Sequence, residues 1–208
     1  MAAMQHVYQP RLTAADYLEG EARSTVRHEF VDGEVYAMAG AGEAHNLIAL
    51  NVAARLRSAV RGGPCRVFIS DMKLHVAAWN AFYYPDVMVV CSPTDNHTHY
   101  KESPSVIVEV LSDSTADIDR REKLLAYRTL ASLREYVLIA QDKRQIDVYR
   151  RAPDGANDVW LLESLGEGDL LQLESIGVGM SMAEVYEDVV FMKNQPVSLV
   201  DSARTAIK

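Results

Sequence analysis

Long hydrophobic runs are missing from this chain. Its longest apolar stretches, such as "VMVVC", are a handful of residues, against the roughly 20 that a membrane-spanning helix needs. No membrane partner is expected. "MAAMQHVYQPRLT" has no basic start followed by an apolar stretch, so no secretory signal is expected either. Cysteine is scarce: Cys65 and Cys91 each sit in a strand-like apolar run. Two such residues read as small buried hydrophobes in a reducing compartment, not as a disulfide framework or a zinc site, and the expected location is cytoplasmic. Low-complexity tracts and internal repeats are also missing.

Positive charge is in short supply. With 21 Lys and Arg against 29 Asp and Glu, the formal charge is −8. Tight, nonspecific coating of nucleic acid relies on clustered Lys and Arg, and this balance argues against it. An enzyme that needs metal to bind is still allowed, because a divalent cation offsets an acidic cluster locally.

What is present is ordinary globular composition, and 208 residues can bury a good core as one domain. The expected organisation is a single domain over 1–192 with a core at about 44–150. The patternless stretch 193–208 is expected to be a flexible tail. "LTAADYLEGEA" predicts a helix capped by Thr13. "VRHEFVDGEVYAM" predicts a hairpin turning at Asp32–Gly33. Ala44–Val60 has a helical pattern stopped by Gly62–Gly63–Pro64. Three strands follow, "CRVFISDMKLHV", "YYPDVMVVC" and "SVIVEVL". A helix then begins at Ser114–Thr115, and "REYVLIA" and "QIDVYRR" add two strands around "QDKR". Beyond the turn signal Pro153–Asp154–Gly155 come short strand-like pieces and a closing helix in "SMAEVYEDV". Three closely connected strands form an antiparallel meander and the next helix makes a crossover, so the class is α/β with helices covering a mixed sheet.

Glu109 is the most unusual residue. It interrupts a run so apolar that both faces of its strand are expected to be covered. A carboxylate there must be paired, bind a cation or stay neutral. Asp86 poses the same question at the head of "DVMVVC". If Cys91 and Ser105 bracket the connection, Asp86 lies five positions before it and Glu109 four after. That makes them cross-strand neighbours within about one residue, with Cβ atoms about 4.5–5.5 Å apart. Two carboxylates at that separation repel, and a shared divalent cation resolves the repulsion. The same count on the preceding hairpin brings Asp71 near Asp86.

The segments "HEFVDGEVYAMAG", "AHNLI", "YYPDVMVV", "VIVEVLSDST" and "DIDRREKLLAY", in this order, resemble the PD-(D/E)XK nuclease superfamily. More narrowly, they resemble its bacterial Uma-type family of restriction-endonuclease-like proteins, over about Leu12 to Arg150. The resemblance implies a restriction-endonuclease-like α-β-β-β-α-β core and metal-assisted hydrolysis of DNA. Asp86, Glu109 and the main-chain carbonyl of Val110 would hold Mg²⁺ or Mn²⁺. The superfamily's lysine is expected two residues after Glu109, where this chain has Leu111. In the Uma-type pattern it has moved onto the following helix, where Asp119, Lys123 and Tyr127 share one face. Lys73 is the rival lysine. Glu34 matches the family's "DGE" position as an extra ligand, and His45, at the start of the first core helix, is a candidate phosphate contact. The resemblance also implies a homodimer. Two further functions stand beside the endonuclease: a degenerate nuclease fold kept as a binding or assembly module, and a hydrolase of a small phosphodiester.

Overall fold

The computed structural model of the protein describes residues 11–112, 116–153 and 159–191. The expected helix start at Ser114–Thr115, the turn residues Asp154–Gly155 and the tail at 193–208 lie outside these residues.

Helix α1 (Ala14–Glu21) opens on a capping box, in which the Thr13 hydroxyl accepts from the Asp16 N–H and the Asp16 carboxylate accepts from the Thr13 N–H. Strands β1 (His28–Val31) and β2 (Glu34–Ala37) pair antiparallel across the expected two-residue turn. Asp32 and Gly33 both have positive φ there, 44° and 95°, as a tight hairpin turn demands. Helix α2 (Glu43–Ala59) buries Ile48, Val52, Ala53 and Leu56 on one face.

Beyond α2 the chain alternates between two sheets. Strands β3 (Arg66–Ile69), β6 (Val87–Val90) and β8 (Pro104–Leu111) form an antiparallel run in a six-stranded sheet. Between β3 and β6 the chain leaves that sheet. It makes the hairpin of β4 (Lys73–Val76) and β5 (Ala81–Tyr83), which pairs with β1 in a five-stranded sheet of order β2-β1-β5-β4-β7, with β7 at Tyr100–Lys101. The two long strands expected in this region are therefore each broken. "CRVFISDMKLHV" bends at Ser70–Met72 and "YYPDVMVVC" at Tyr84–Asp86, where Pro85 has no N–H to give a ladder.

After β8 come helix α3 (Ala116–Ile118), a π-helical stretch (Asp119–Lys123) and helix α4 (Leu124–Arg128). This crossover leads to β9 (Glu135–Ala140), which lies parallel to β8. Strands β10 (Ile146–Arg151) and β11 (Trp160–Leu165) complete the order β11-β10-β9-β8-β6-β3. A small hairpin of β12 (Leu170–Leu173) and β13 (Val178–Ser181) and helix α5 (Met182–Val185) close one face.

One core lies between the large sheet and α2, holding Ile48, Val52, Leu56, Val87, Val89 and Val108. The other lies under the crossover helices, holding Leu74, Tyr83, Met88, Tyr127, Leu133 and Tyr136. Both faces of β8 are thus covered, as its unbroken apolar run requires.

The two cysteines are not separate hydrophobes. Cys65 and Cys91 form a disulfide, because each stands one step outside the Arg66–Val90 pair of β3 and β6. Spacing along the chain did not reveal that they sit opposite each other across the sheet. Among the described residues, no helix is long and apolar enough to cross a membrane.

Candidate active site

The site is built at the point where β6 begins and β8 nears its end. Val87 pairs with Val108, so Asp86 and Glu109 stand opposite each other one step further along. A register shift between Val89 and Val90 accounts for the one-residue uncertainty of the sequence count. The two residues interlock through the backbone. The Asp86 N–H donates to Glu109 Oε2 at 3.2 Å, and the Val110 N–H donates to Asp86 Oδ2 at 2.8 Å.

The crossover helices supply a lysine. Lys123 Nζ lies 3.2 Å from Glu109 Oε1, 3.1 Å from Asp119 Oδ1 and 3.2 Å from Glu29 Oε1. Tyr127 donates its hydroxyl to the same Glu109 oxygen at 3.0 Å. The shared face expected for Asp119, Lys123 and Tyr127 is real, and all three are buried. The helix is π-wound from Asp119 to Lys123, the kind of local irregularity that recurs at functional sites. The Asp119 backbone carbonyl accepts from the Tyr136 hydroxyl at 3.0 Å. Asp119 Oδ1 pairs with Lys123 by charge, but off the line that a hydrogen bond requires. It is a buried oxygen with no hydrogen-bond partner.

Electrostatics follow from burial and crowding. Burial raises the Glu109 pKa well above the usual carboxylate value. Lys123 opposes that rise, while Asp119, Asp86 and Glu29 reinforce it. Burial works against the Lys123 charge too, but Glu109, Glu29 and Asp119 outweigh it and hold the ammonium protonated. Three carboxylates therefore surround one lysine, and Asp86 stands behind Glu109.

His45, in the first turn of α2, reaches Asp86 Oδ2 with Nε2 at 3.2 Å. Burial disfavours its charged form, but Asp86, Asp119 and a hydrogen bond to the Val110 backbone raise its pKa overall. The imidazole thus spans two of the three groups named as metal donors.

Other expected residues stand elsewhere. Glu34 is exposed on β2 and bonded to the Tyr36 hydroxyl. Asp71 is exposed beyond β3 and paired with Arg27 at 2.8 Å, because Ser70, not Asp71, meets Asp86. Lys73 belongs to the five-stranded sheet, where its ammonium lies over the Tyr84 ring at 5.3 Å, and burial lowers its pKa. Glu29 was missed. Its Oε1 accepts from the Tyr84 N–H at 3.1 Å as well as pairing with Lys123. The signal was available: Glu29 and Val31 share one face of β1, and Val31 packs into the core under the crossover helices.

The donor chemistry suits a hard cation. Oxygen donors predominate, the negative charges outnumber the positive, and one buried carboxylate oxygen, Asp119 Oδ1, has an ion pair but no hydrogen bond. Among the described residues, no three His, Cys, Asp or Glu side chains converge as a ready-made cage. A set of two carboxylates and a main-chain carbonyl does not require one.

Comparison with known proteins shows what the chain as a whole is similar to. Two Synechocystis proteins, the uncharacterized slr1290 and sll1609, are similar along most of their length. The first is 33% identical over 88% of this chain and 95% of its own. The second is 39% identical over 75% and 89% respectively. The crystal structure of "a putative nuclease belonging to DUF820" from Anabaena variabilis shares the fold, with a TM-score of 0.70 at 16% identity. The match covers 84% of this chain and 97% of that one. The family model described as "Putative restriction endonuclease" matches residues 14–184. The chain belongs to this family, Uma2.

Proposed function

We propose that the protein is a metal-dependent endonuclease that hydrolyses DNA phosphodiester bonds. The observation that carries this reading is the facing pair Asp86–Glu109 with Lys123 against it, three charged groups brought together from two strands and a helix. Asp86, Glu109 and the Val110 carbonyl would hold Mg²⁺ or Mn²⁺. When bound, the ion supplies charge stabilisation at the phosphoryl oxygens and a more acidic water.

The chain's own residues do the rest. Glu109 is fixed by the Asp86 N–H, Lys123 and Tyr127. Lys123 stays protonated, ready to orient water or to meet developing negative charge. Glu29 and Asp119 hold that ammonium in place. His45 steadies Asp86. Glu34 stays outside this constellation.

A second reading, a nuclease fold kept as a binding module, is favoured by one observation: three carboxylates already saturate Lys123. One experiment separates the two. Pure protein is incubated with supercoiled and linear DNA, with and without Mg²⁺ or Mn²⁺, beside Asp86→Ala and Glu109→Ala. The endonuclease predicts metal-dependent cleavage that both substitutions abolish. Cleavage that survives both, or none with any metal, sinks it.

A further inference from the structure

Strand β3 ends the six-stranded sheet, so one side of its backbone has no strand partner among the described residues. An open edge of this kind is a template for pairing with another chain. Beside it, between β3 and α2, lies an open groove of about 490 Å³, lined by Leu50, Ala54, Arg57, Val67, Ile69 and Asp71 among others. Leu50 and Ile69 are 58% and 54% exposed. Leu50 of α2 and Ile69 of β3 line one apolar groove with Ala54 and Val67, and a contiguous exposed apolar patch marks an interaction surface.

The charges around the groove say what fits it. The chain passes from α2 to β3 through Gly62–Gly63–Pro64, so helix and strand run side by side in opposite directions. One end of the surface therefore carries Arg57, Arg61 and Arg66, which line a second hollow of about 350 Å³. Among the described residues no carboxylate pairs with any of the three, although Arg66 donates to the Asp95 carbonyl at 3.4 Å. The other end carries Asp71, whose carboxylate is 84% exposed and, besides its bond to Arg27, is open to a second cation. Antiparallel pairing of β3 with a second β3 in one continuous sheet needs a two-fold axis perpendicular to the sheet. That axis lays the arginine end of one copy on the Asp71 end of the other and stacks the two apolar centres. Under an isologous contact every such pair occurs twice.

From this we infer that the β3 edge and the groove beside it are the homodimer interface, and that the occupant is a second copy of this chain. The sheets would join into one continuous twelve-stranded sheet. The other open edge, β11, exposes Leu161 and Leu162 and serves as the comparison edge. The inference stands apart from the catalytic reading, since neither the groove nor its charges belong to the Asp86–Glu109 cluster.

Sedimentation equilibrium over a wide concentration range tests it without reference to cleavage. The wild-type chain is expected to be a dimer. Ile69→Lys, Arg57→Asp and Asp71→Arg should each raise the dissociation constant about tenfold or more, as loss of an interfacial charge pair or apolar contact does. The double variant Arg57→Asp/Asp71→Arg should recover much of the dimer, because the two-fold brings the reversed charges together again. Leu162→Lys should change nothing. Circular dichroism confirms folding, and the charge reversals lie at exposed positions where folding is not at stake. A monomeric wild type overturns the proposal, as does a dimer indifferent to Ile69→Lys and to both reversals, or one that Leu162→Lys dissolves.

Discussion

Lys123 is the residue on which most of the site's charge depends. Its ammonium is the shared partner of Glu109, Asp119 and Glu29. Removing one partner of a buried ionic cluster is far more damaging than replacing the whole cluster, because an uncompensated charge stays inside. The usual cost is about 3–5 kcal/mol. Lys123→Met is therefore expected to destabilise the fold by that order. The loss should also depend on pH in a defined direction. Glu109 has a folded pKa raised above the ordinary 4.5 by burial, and the substitution removes the group that opposes the rise. A carboxyl with a raised folded pKa binds more protons folded than unfolded above pH 4.5, so stability falls as pH rises from there toward the folded value. Urea denaturation at pH 5 and pH 8 checks this. The variant should lose more stability than the wild type across that interval, and an equal loss in both would show that Glu109 is held by something other than Lys123.

At the scale of elements, the crossover helices must be tied to the sheet for Lys123 to reach Glu109, and one tie is the Arg120–Asp147 pair at 2.7 Å between the π-wound stretch and β10. Burial alone would raise the Asp147 pKa, but hydrogen bonds from Arg120, Ser164 and Gln145 and the Arg120 charge lower it overall. A depressed folded pKa contributes stability above the ordinary value of 3.8, and that stability is lost as pH falls through the folded value. Arg120→Ala should therefore make the protein less stable at neutral pH and flatten its loss of stability on acidification below about pH 4, measured by thermal melts at a series of pH values. The elements themselves were largely legible in the sequence. The Thr13 cap, the Asp32–Gly33 turn, α2, β8 and its crossover all announce themselves by local pattern, as does the opposition of Asp86 and Glu109, because register follows from counting along a hairpin. What stayed hidden depends on which sheet a segment joins. The break at Ser70–Met72 sends β4 to another layer and leaves Asp71 in solvent. The same change of sheet places Lys73 beside Tyr84 and brings Glu29 of the first hairpin against Lys123. Cys65 and Cys91 were legible as residues of two strands, but not as partners.

For the molecule as a whole, a charge of −8 must be reconciled with a polyanionic substrate. Glu29, Asp86, Glu109 and Asp119 gather where a phosphate is proposed to sit, with Lys123 as the shared ammonium of Glu29, Glu109 and Asp119. On the proposed reading that locus repels DNA without a divalent cation, and a bound cation offsets much of its negative charge. Affinity for a labelled duplex, followed by fluorescence anisotropy, should therefore be weak in chelator and rise with Ca²⁺ or Mg²⁺. It should also fall with added salt along a shallow slope, since few phosphates meet lysine or arginine. Neutralising the locus should mimic the ion in part: Asp86→Asn and Glu109→Gln are expected to bind DNA more tightly than the wild type in chelator and to gain little when metal is added. Were the wild type to bind as tightly in chelator as in metal, the acidic cluster would not face the DNA, and the proposed placement of the scissile phosphate would have to be abandoned even if cleavage were observed.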